Sequence, residues 1–225
     1  MYNAYDTPSG VGIVVRDKDS EIATGLYNIC YLNGGQIQDY ELNWWQDHCP
    51  ECLLRDGDGD LVEDPEWEGE FVLDIHNSSH REKIVGIQSK WIRECKDDGF
   101  DAVEMDNLDT FTRFSQIKKD NTVDWIKSLS DHAHSVGLAI AQKNTAELLE
   151  RADEMGTDFA VVESCNKWDE CQDFIDVYGK MVLAVEYRQK HFNKGCEDFG
   201  GKIPIIYRDH NLHDPSKDDY QFDSC

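Results

Sequence analysis

Eight short apolar runs alternate along this chain with stretches of helical periodicity, and no other feature constrains the fold as tightly. The runs are Val11–Val15, Leu26–Leu32, Phe71–Ile75, Asp101–Met105, Leu138–Gln142, Phe159–Glu163, Val182–Glu186 and Ile203–Tyr207. Several are almost uninterrupted, as strands buried on both faces require. Between them, Ile84–Lys96 sets Ile84, Ile87, Trp91 and Ile92 at near-helical spacing and stops before Gly99. Thr122–Ser135 does the same with Val123, Ile126, Leu129 and Ala133 and ends at Gly137. Thr145–Met155 opens on a capping residue type and stops at Gly156, and Asp169–Tyr178 is closed by Gly179. Strand–helix alternation of this kind predicts a parallel sheet.

No Gly-x-Gly-x-x-Gly and no phosphate-binding Walker loop follows any run, which removes the nucleotide-binding sheets. Eight strands then predict an α/β (β/α)8 TIM-like barrel, a fold that needs about 200–250 residues. The 225 residues suit one domain spanning 1–225. Trp44–Glu70 interrupts the alternation with acidic, turn-rich sequence and reads as a loop excursion on one barrel face. Residues 210–225 are polar, include Pro215 and read as a flexible acidic tail.

Lys and Arg number 22 against 46 Asp and Glu, a formal net charge of −24. Such a surface repels nucleic-acid phosphate and anionic membranes and draws cations. No stretch of 18 apolar residues is present, so no membrane span is expected. Eight cysteines point to disulfides and an oxidising, extracellular compartment. Met1–Asp6 lacks the basic-then-apolar pattern of a signal peptide, so a removed signal or an incomplete N-terminus is expected.

In a barrel enzyme the reacting groups stand at the C-terminal ends of the strands. Those ends here carry Arg16-Asp17, Tyr31-Leu32-Asn33, Asp74, Asp106-Asn107, Lys143-Asn144, Glu163, Glu186-Tyr187 and Arg208-Asp209. Carboxylates converging with Asn, Lys and Tyr describe a sugar site, where hydroxyls and an oxocarbenium-like transition state must be met. Within Asp101–Asp106 the alternation puts Val103 and Met105 on one side and Ala102, Glu104 and Asp106 on the other. Glu163 follows four apolar residues, a placement that demands the barrel mouth or a partner. Two carboxyls across such a mouth divide labour, one ionised and one kept protonated.

Other motifs lose to plainer readings. Asp56-Gly57-Asp58-Gly59-Asp60 lacks the Gly and Glu of a calcium loop, having Leu61 and Trp67 instead, and reads as a solvated turn. Cys49-Pro50-Glu51-Cys52 has no second Cys pair to complete a zinc site and reads as a disulfide. Cys165 with Cys171, and Cys30 with Cys95, are further candidate pairs. No metal or other cofactor is expected.

Several segments together resemble a known family. They are Ile29–Asn33, Phe71–Ile75, Gly99–Asp109, Gly137–Asn144, Val162–Cys165 with Asp169–Cys171, and Val182–Tyr187. In this order, across roughly Gly10 to Asp209, they are similar to the successive motifs of glycoside hydrolase family 114. That family contains extracellular endo-α-1,4-polygalactosaminidases. The resemblance implies a secreted barrel glycosidase acting on a galactosamine-rich, hence cationic, polysaccharide, and a monomer is expected. It places a catalytic pair on Asp106 and Glu163 and sugar contacts on Asp74, Asn107, Asn144 and Tyr187. The strand ends add Tyr31 and Glu186. The family also carries a strand rich in aromatics and Gln ahead of the Val11–Asp17 segment, where this chain has Met1–Gly10, so a short or incomplete first strand is expected. The rivals are a non-catalytic carbohydrate-binding barrel, a metal-assisted hydrolase, and a glycosidase of the same fold for another α-linked polysaccharide.

Overall fold

The structure is a computed structural model that describes residues 7–225. Met1–Asp6, read above for a signal, lies outside the described residues. One sheet organises the chain, with strands β1 (Ile13–Asp17), β2 (Tyr27–Leu32), β3 (Ala102–Met105), β4 (Ala139–Lys143), β5 (Phe159–Glu163), β6 (Val182–Glu186), β7 (Ile205–Arg208) and β8 (Phe222–Ser224). They lie in sequence order; β1 to β7 pair in parallel, and β8 pairs antiparallel to β7. The result is the curled, parallel-dominated α/β sheet of a TIM-like barrel. Among the described residues no ladder joins β1 to β8, so β1, five residues long, is paired on one edge.

Helices follow the strands. After β2 come α1 (Leu42–His48) and the long α2 (Ser78–Asp97). β3 is followed by α3 (Thr110–Arg113) and α4 (Lys119–Ser135), and β4 by a 3-10 turn (Ala146–Arg151) and α5 (Ala152–Met155). α6 (Cys165–Trp168) and α7 (Cys171–Tyr178) follow β5, and α8 (Gln189–Phe199) follows β6. The starts of α2 and α8 show why sequence boundaries shift. Asn77 caps α2 by accepting from the Ser79 and His80 amides, so the helix begins six residues before its first periodic apolar position, Ile84. α8 buries only Phe192 and Gly195, and a stripe that thin escapes a periodicity search.

The strand faces sort as the alternation predicts. Val103 and Met105 pack with Cys30, Leu32 and Ile140 against α2 and α4 residues such as Ile84, Ile92, Trp125 and Leu129. Ala160, Val162, Ala184 and Ile205 pack against Phe174 of α7 and Phe192 of α8. Inside the curl, Ile29, Ala102, Ala141, Phe159 and Val161 form the lower layer. All eight cysteines are paired: Cys30–Cys95, Cys49–Cys52 and Cys165–Cys171 as expected, and Cys196–Cys225, which clips the end of β8 to α8.

The strand reading needs one correction. Phe71–Ile75 is not a barrel strand. It makes antiparallel bridges within the excursion after β2, Phe71 with Glu63, Val72 with Gln36 and Leu73 with Leu53. A short apolar run has the same pattern whether its ladder partners are core strands or neighbouring loops. The eighth strand comes instead from Phe222–Ser224, inside the segment read as a tail. Trp45 of α1 is fully buried against Trp44 and Trp91.

Candidate active site

The site stands on the C-terminal ends of β3, β4 and β5. Each strand stops within two residues of a left-handed one: Asn107 (φ 58°) second after β3, and Asn144 (φ 46°) and Ser164 (φ 58°) directly after β4 and β5. Asn carries that backbone more cheaply than most residues. On the β2 side, Gly34 and Gly35 let the chain pass close by. A Cβ on Gly35 would lie 2.1 Å from the Asn107 carbonyl oxygen, and one on Gly34 3.0 Å from that of Asp106. The Gly35 amide donates to the Asp106 carbonyl at 3.0 Å. Beneath, the buried Gln88 amide donates to the Gly34 carbonyl at 2.7 Å and its oxygen accepts from the Trp125 indole at 2.8 Å.

The centre is Lys143. Its ammonium is 2.8 Å from Glu104 Oε1 and 3.5 Å from both Asp106 Oδ2 and Glu163 Oε2. Lys143 and Glu104 are buried, at 2% and 1% side-chain exposure, whereas Asp106 and Glu163 reach solvent at 22% and 27%. Since both outer carboxylates touch one nitrogen, those two oxygens are no further apart than twice 3.5 Å.

Each outer carboxylate has its own holders. Asp106 accepts from the Tyr31 hydroxyl at 2.8 Å and from the Asn107 amide at 2.8 Å. Glu163 accepts from Asn144 Nδ2 at 3.1 Å and from the Tyr187 hydroxyl, while its own amide donates to Asn144 Oδ1 at 2.7 Å. Burial opposes ionisation of Glu163, but the Lys143 ammonium, then the Tyr187 and Asn144 bonds, outweigh it and hold the carboxyl below its ordinary range. Glu104 behaves oppositely. Burial pushes it up to about 7; Lys143 counters this and the nearby Asp106 and Glu163 charges reinforce it.

A cavity of about 550 Å³ runs inward from this cluster. Glu104, Lys143, Glu163 and Tyr187 line one part, and Ile13, Val15, Leu183, Val185 and Ile206 line the rest, toward the β1–β8 gap. On the other flank the excursion buttresses Asp106. Asn107 Nδ2 donates to Asn33 Oδ1 at 2.7 Å, and Asn33 in turn to Glu70 Oε2 at 2.9 Å. Arg113 of α3 ties Asn107, Gln36, Asp109 and Asp64 together. Burial raises the Glu70 carboxyl, the Asn33 bond lowers it and the Asp106 charge raises it again.

Six of the eight residues named from sequence thus share one hydrogen-bonded cluster: Tyr31, Asp106, Asn107, Asn144, Glu163 and Tyr187. Two have other partners. Asp74, on the bridge segment corrected above, pairs with His76 and His80. Glu186 accepts from the Asn166 amide of α6 at 2.8 Å and is buried there. Glu186 also lies beside Cys165 and Cys171, but that pair is a disulfide and offers no thiolate to a metal. The Asp56–Asp60 turn closes on itself, with Asp56 Oδ1 accepting from the Asp58 and Asp60 amides. Sequence reasoning passed over Glu104 and the hub role of Lys143. The signal was there: an acid inside one apolar strand and a base ending another must find each other or water.

The curled, parallel-dominated sheet defines the fold class, a TIM-like barrel, and family membership gives the class of protein, a barrel glycosidase. The chain belongs to the glycoside-hydrolase family GH114, whose sequence profile matches residues 1–225. Among solved structures it is similar to Ega3 of Aspergillus fumigatus in complex with galactosamine, with a TM-score of 0.78 at 20% identity, covering 100% of this chain and 92% of that one. It is also similar to the glycoside hydrolase domain of PelA from Pseudomonas aeruginosa, with a TM-score of 0.60 at 14% identity and 94% coverage of each. A curated protein of Thermotoga maritima, described as uncharacterized, is 28% identical over 98 residues. That match takes in 42% of this chain and 27% of the relative's length.

Proposed function

We propose that this chain is an extracellular, endo-acting glycosidase that cuts α-1,4-linked galactosamine-rich polysaccharide with net retention. The observation that carries the reading is the placement of Asp106 and Glu163 about one buried ammonium, at the open end of the sheet. The bound of twice 3.5 Å between their nearest oxygens accommodates the about 5–5.5 Å separation of a retaining pair, which supports retention. Family membership supports glycoside hydrolysis, and the galactosamine in the Ega3 complex supports the sugar. Deacetylated galactosamine units are ammonium ions, which a protein of net charge −24 attracts. Four disulfides suit an oxidising exterior.

Asp106, ionised, attacks the anomeric carbon, and the glycosidic C–O bond breaks as Glu163 protonates the leaving oxygen. Glu163 then takes a proton from water, whose oxygen displaces Asp106 from the sugar. Tyr31 and the Asn107 amide aim the nucleophile, and Tyr187 and Asn144 fix the acid. Trp168, 61% exposed at the end of α6, and Trp67, 54% exposed in the excursion, are the stacking candidates.

The test compares Asp106→Asn and Glu163→Gln with the parent on galactosamine-rich polymer. Each is expected to lose turnover by about 10²–10⁴-fold while remaining folded. A folded variant of either kind with near-parental turnover overturns the assignment. The anomer released first, read by NMR, decides between retention and inversion.

A further inference from the structure

The cluster sets a charge problem that the two-carboxylate mechanism does not solve. Three carboxyls, Glu104, Asp106 and Glu163, surround the single ammonium of Lys143, two of the four side chains being almost wholly buried. With all three ionised the group carries two uncompensated negative charges in a poorly hydrated place, which is costly. One proton relieves the cost, and the carboxyl most shielded from water is the natural holder. Glu104 Oε2 is buried and accepts no hydrogen bond from any described residue, an arrangement ill suited to a charged oxygen. Meanwhile Glu163, the residue that must donate a proton, is held in its ionised form by Lys143, Tyr187 and Asn144. The proton and the acid that needs it are on opposite sides of one lysine.

We propose that Glu104 is a positioning residue that stores the catalytic proton and passes it to Glu163 through Lys143. The step balances. The Lys143 ammonium gives a proton to Glu163 Oε2 and receives the carboxyl proton of Glu104 from Oε1, the oxygen 2.8 Å from it, so Lys143 stays an ammonium while Glu104 becomes a carboxylate and Glu163 a carboxylic acid. Substrate entering the mouth strips water from Glu163 and favours the transfer. After the second chemical step Glu163 again holds a proton, which returns to Glu104 when product leaves. No outside proton donor is consumed. The groups facing Glu104 are Asp106 on its own strand, Tyr31 of β2, Lys143 of β4 and Glu163 of β5. Arg16 of β1, Arg208 of β7 and Tyr187 past β6 line the cavity it shares. The proposal rests on the acid role given to Glu163 above.

The test is the pH profile of kcat/KM for Glu104→Gln on a soluble galactosamine oligomer. Glutamine keeps the shape but stores no proton, so the active cluster must then be protonated on Glu163 itself. The alkaline limb is expected to move more than about one pH unit toward acid, with a loss at pH 7 above about tenfold that grows with pH. Glu104→Asp, which keeps a carboxyl, is expected to restore the limb. A uniform loss with an unmoved limb reads as structural damage alone and overturns the proposal. If Glu104→Gln does not fold, ¹³C titration of side-chain carboxyls in the parent takes its place. One Glu carboxyl is then expected to stay protonated at pH 6 and to titrate lower in Glu163→Gln, where a negative neighbour is gone. Every Glu carboxyl ionised at pH 6, or none responding to Glu163→Gln, overturns it. Full turnover by Asp106→Asn or Glu163→Gln would sink the catalytic roles of those residues, and with them the reading this proposal rests on. An unmoved limb in Glu104→Gln with both roles intact sinks the proposal alone, so the two failures are distinct.

Discussion

At the scale of single residues, the site depends on what is small as much as on what is charged. Gly35 has no strained backbone of its own; it is glycine because the Asn107 carbonyl oxygen occupies the place of a Cβ. Gly35→Ala is expected to cost about 1–3 kcal/mol of stability through overpacking, measured by urea unfolding. It should also lower kcat more than it changes KM, because the displaced atom belongs to the residue that holds Asp106. The carboxylates themselves were legible in sequence, as acids ending apolar runs. Gly34 and Gly35 were not, because the atoms they make room for lie about 70 residues downstream on another strand. Lys143 was legible as a strand-end residue but not as the shared partner of Glu104, Asp106 and Glu163, which only the curl of the sheet brings together.

At the scale of elements, the two ends of the sheet are built differently. The middle strands are flanked by α2 and α4, and the Cys30–Cys95 disulfide binds β2 to α2. The far edge depends on three residues of β8, antiparallel to β7, and on Cys196–Cys225. Cys225→Ser removes a closure of sequence separation 29, worth about 3–4 kcal/mol in the chain-entropy account. The expected result is a lower melting temperature and faster hydrogen exchange at Ile205, whose amide and carbonyl meet Cys225. Amides of β2 to β5 should exchange as in the parent. Loss of protection there as well would mean that the edge and the centre unfold as one unit. Periodicity identified the middle strands within about two residues. It misplaced the edge, since Phe71–Ile75 looks more like a strand than Phe222–Ser224 does.

At the scale of the whole molecule, charge and burial act in the same direction on stability. Asp17, Glu41, Glu70, Glu104 and Glu186 all have carboxyls raised chiefly by burial. A carboxyl whose folded-state pKa lies above its unfolded one binds its proton more tightly in the fold. Its stabilising contribution is complete below the unfolded value and is lost as pH rises through the folded one. For Glu104 that window runs from its ordinary 4.5 to about 7, a loss on the order of 3 kcal/mol. Repulsion within a net charge of −24 adds to it as the remaining acids ionise. The melting temperature is therefore expected to be higher at pH 5 than at pH 8. Molar salt, which cuts the screening length to about 3 Å, should raise it at pH 8. A flat profile, or a maximum above pH 7, would contradict this balance.

The sequence by itself determined the alternation of strands and helices, the sorting of strand faces and the polar residues that leave each strand. These depend on neighbours two to four positions apart, and local periodicity records them. Tertiary structure alone decided which apolar run joins the sheet. It decided too that Asp74 and Glu186 are tied to other partners, and that one buried lysine serves three carboxyls. Those outcomes depend on which distant segments meet, and on the energy of charges that must share a dry space once they do.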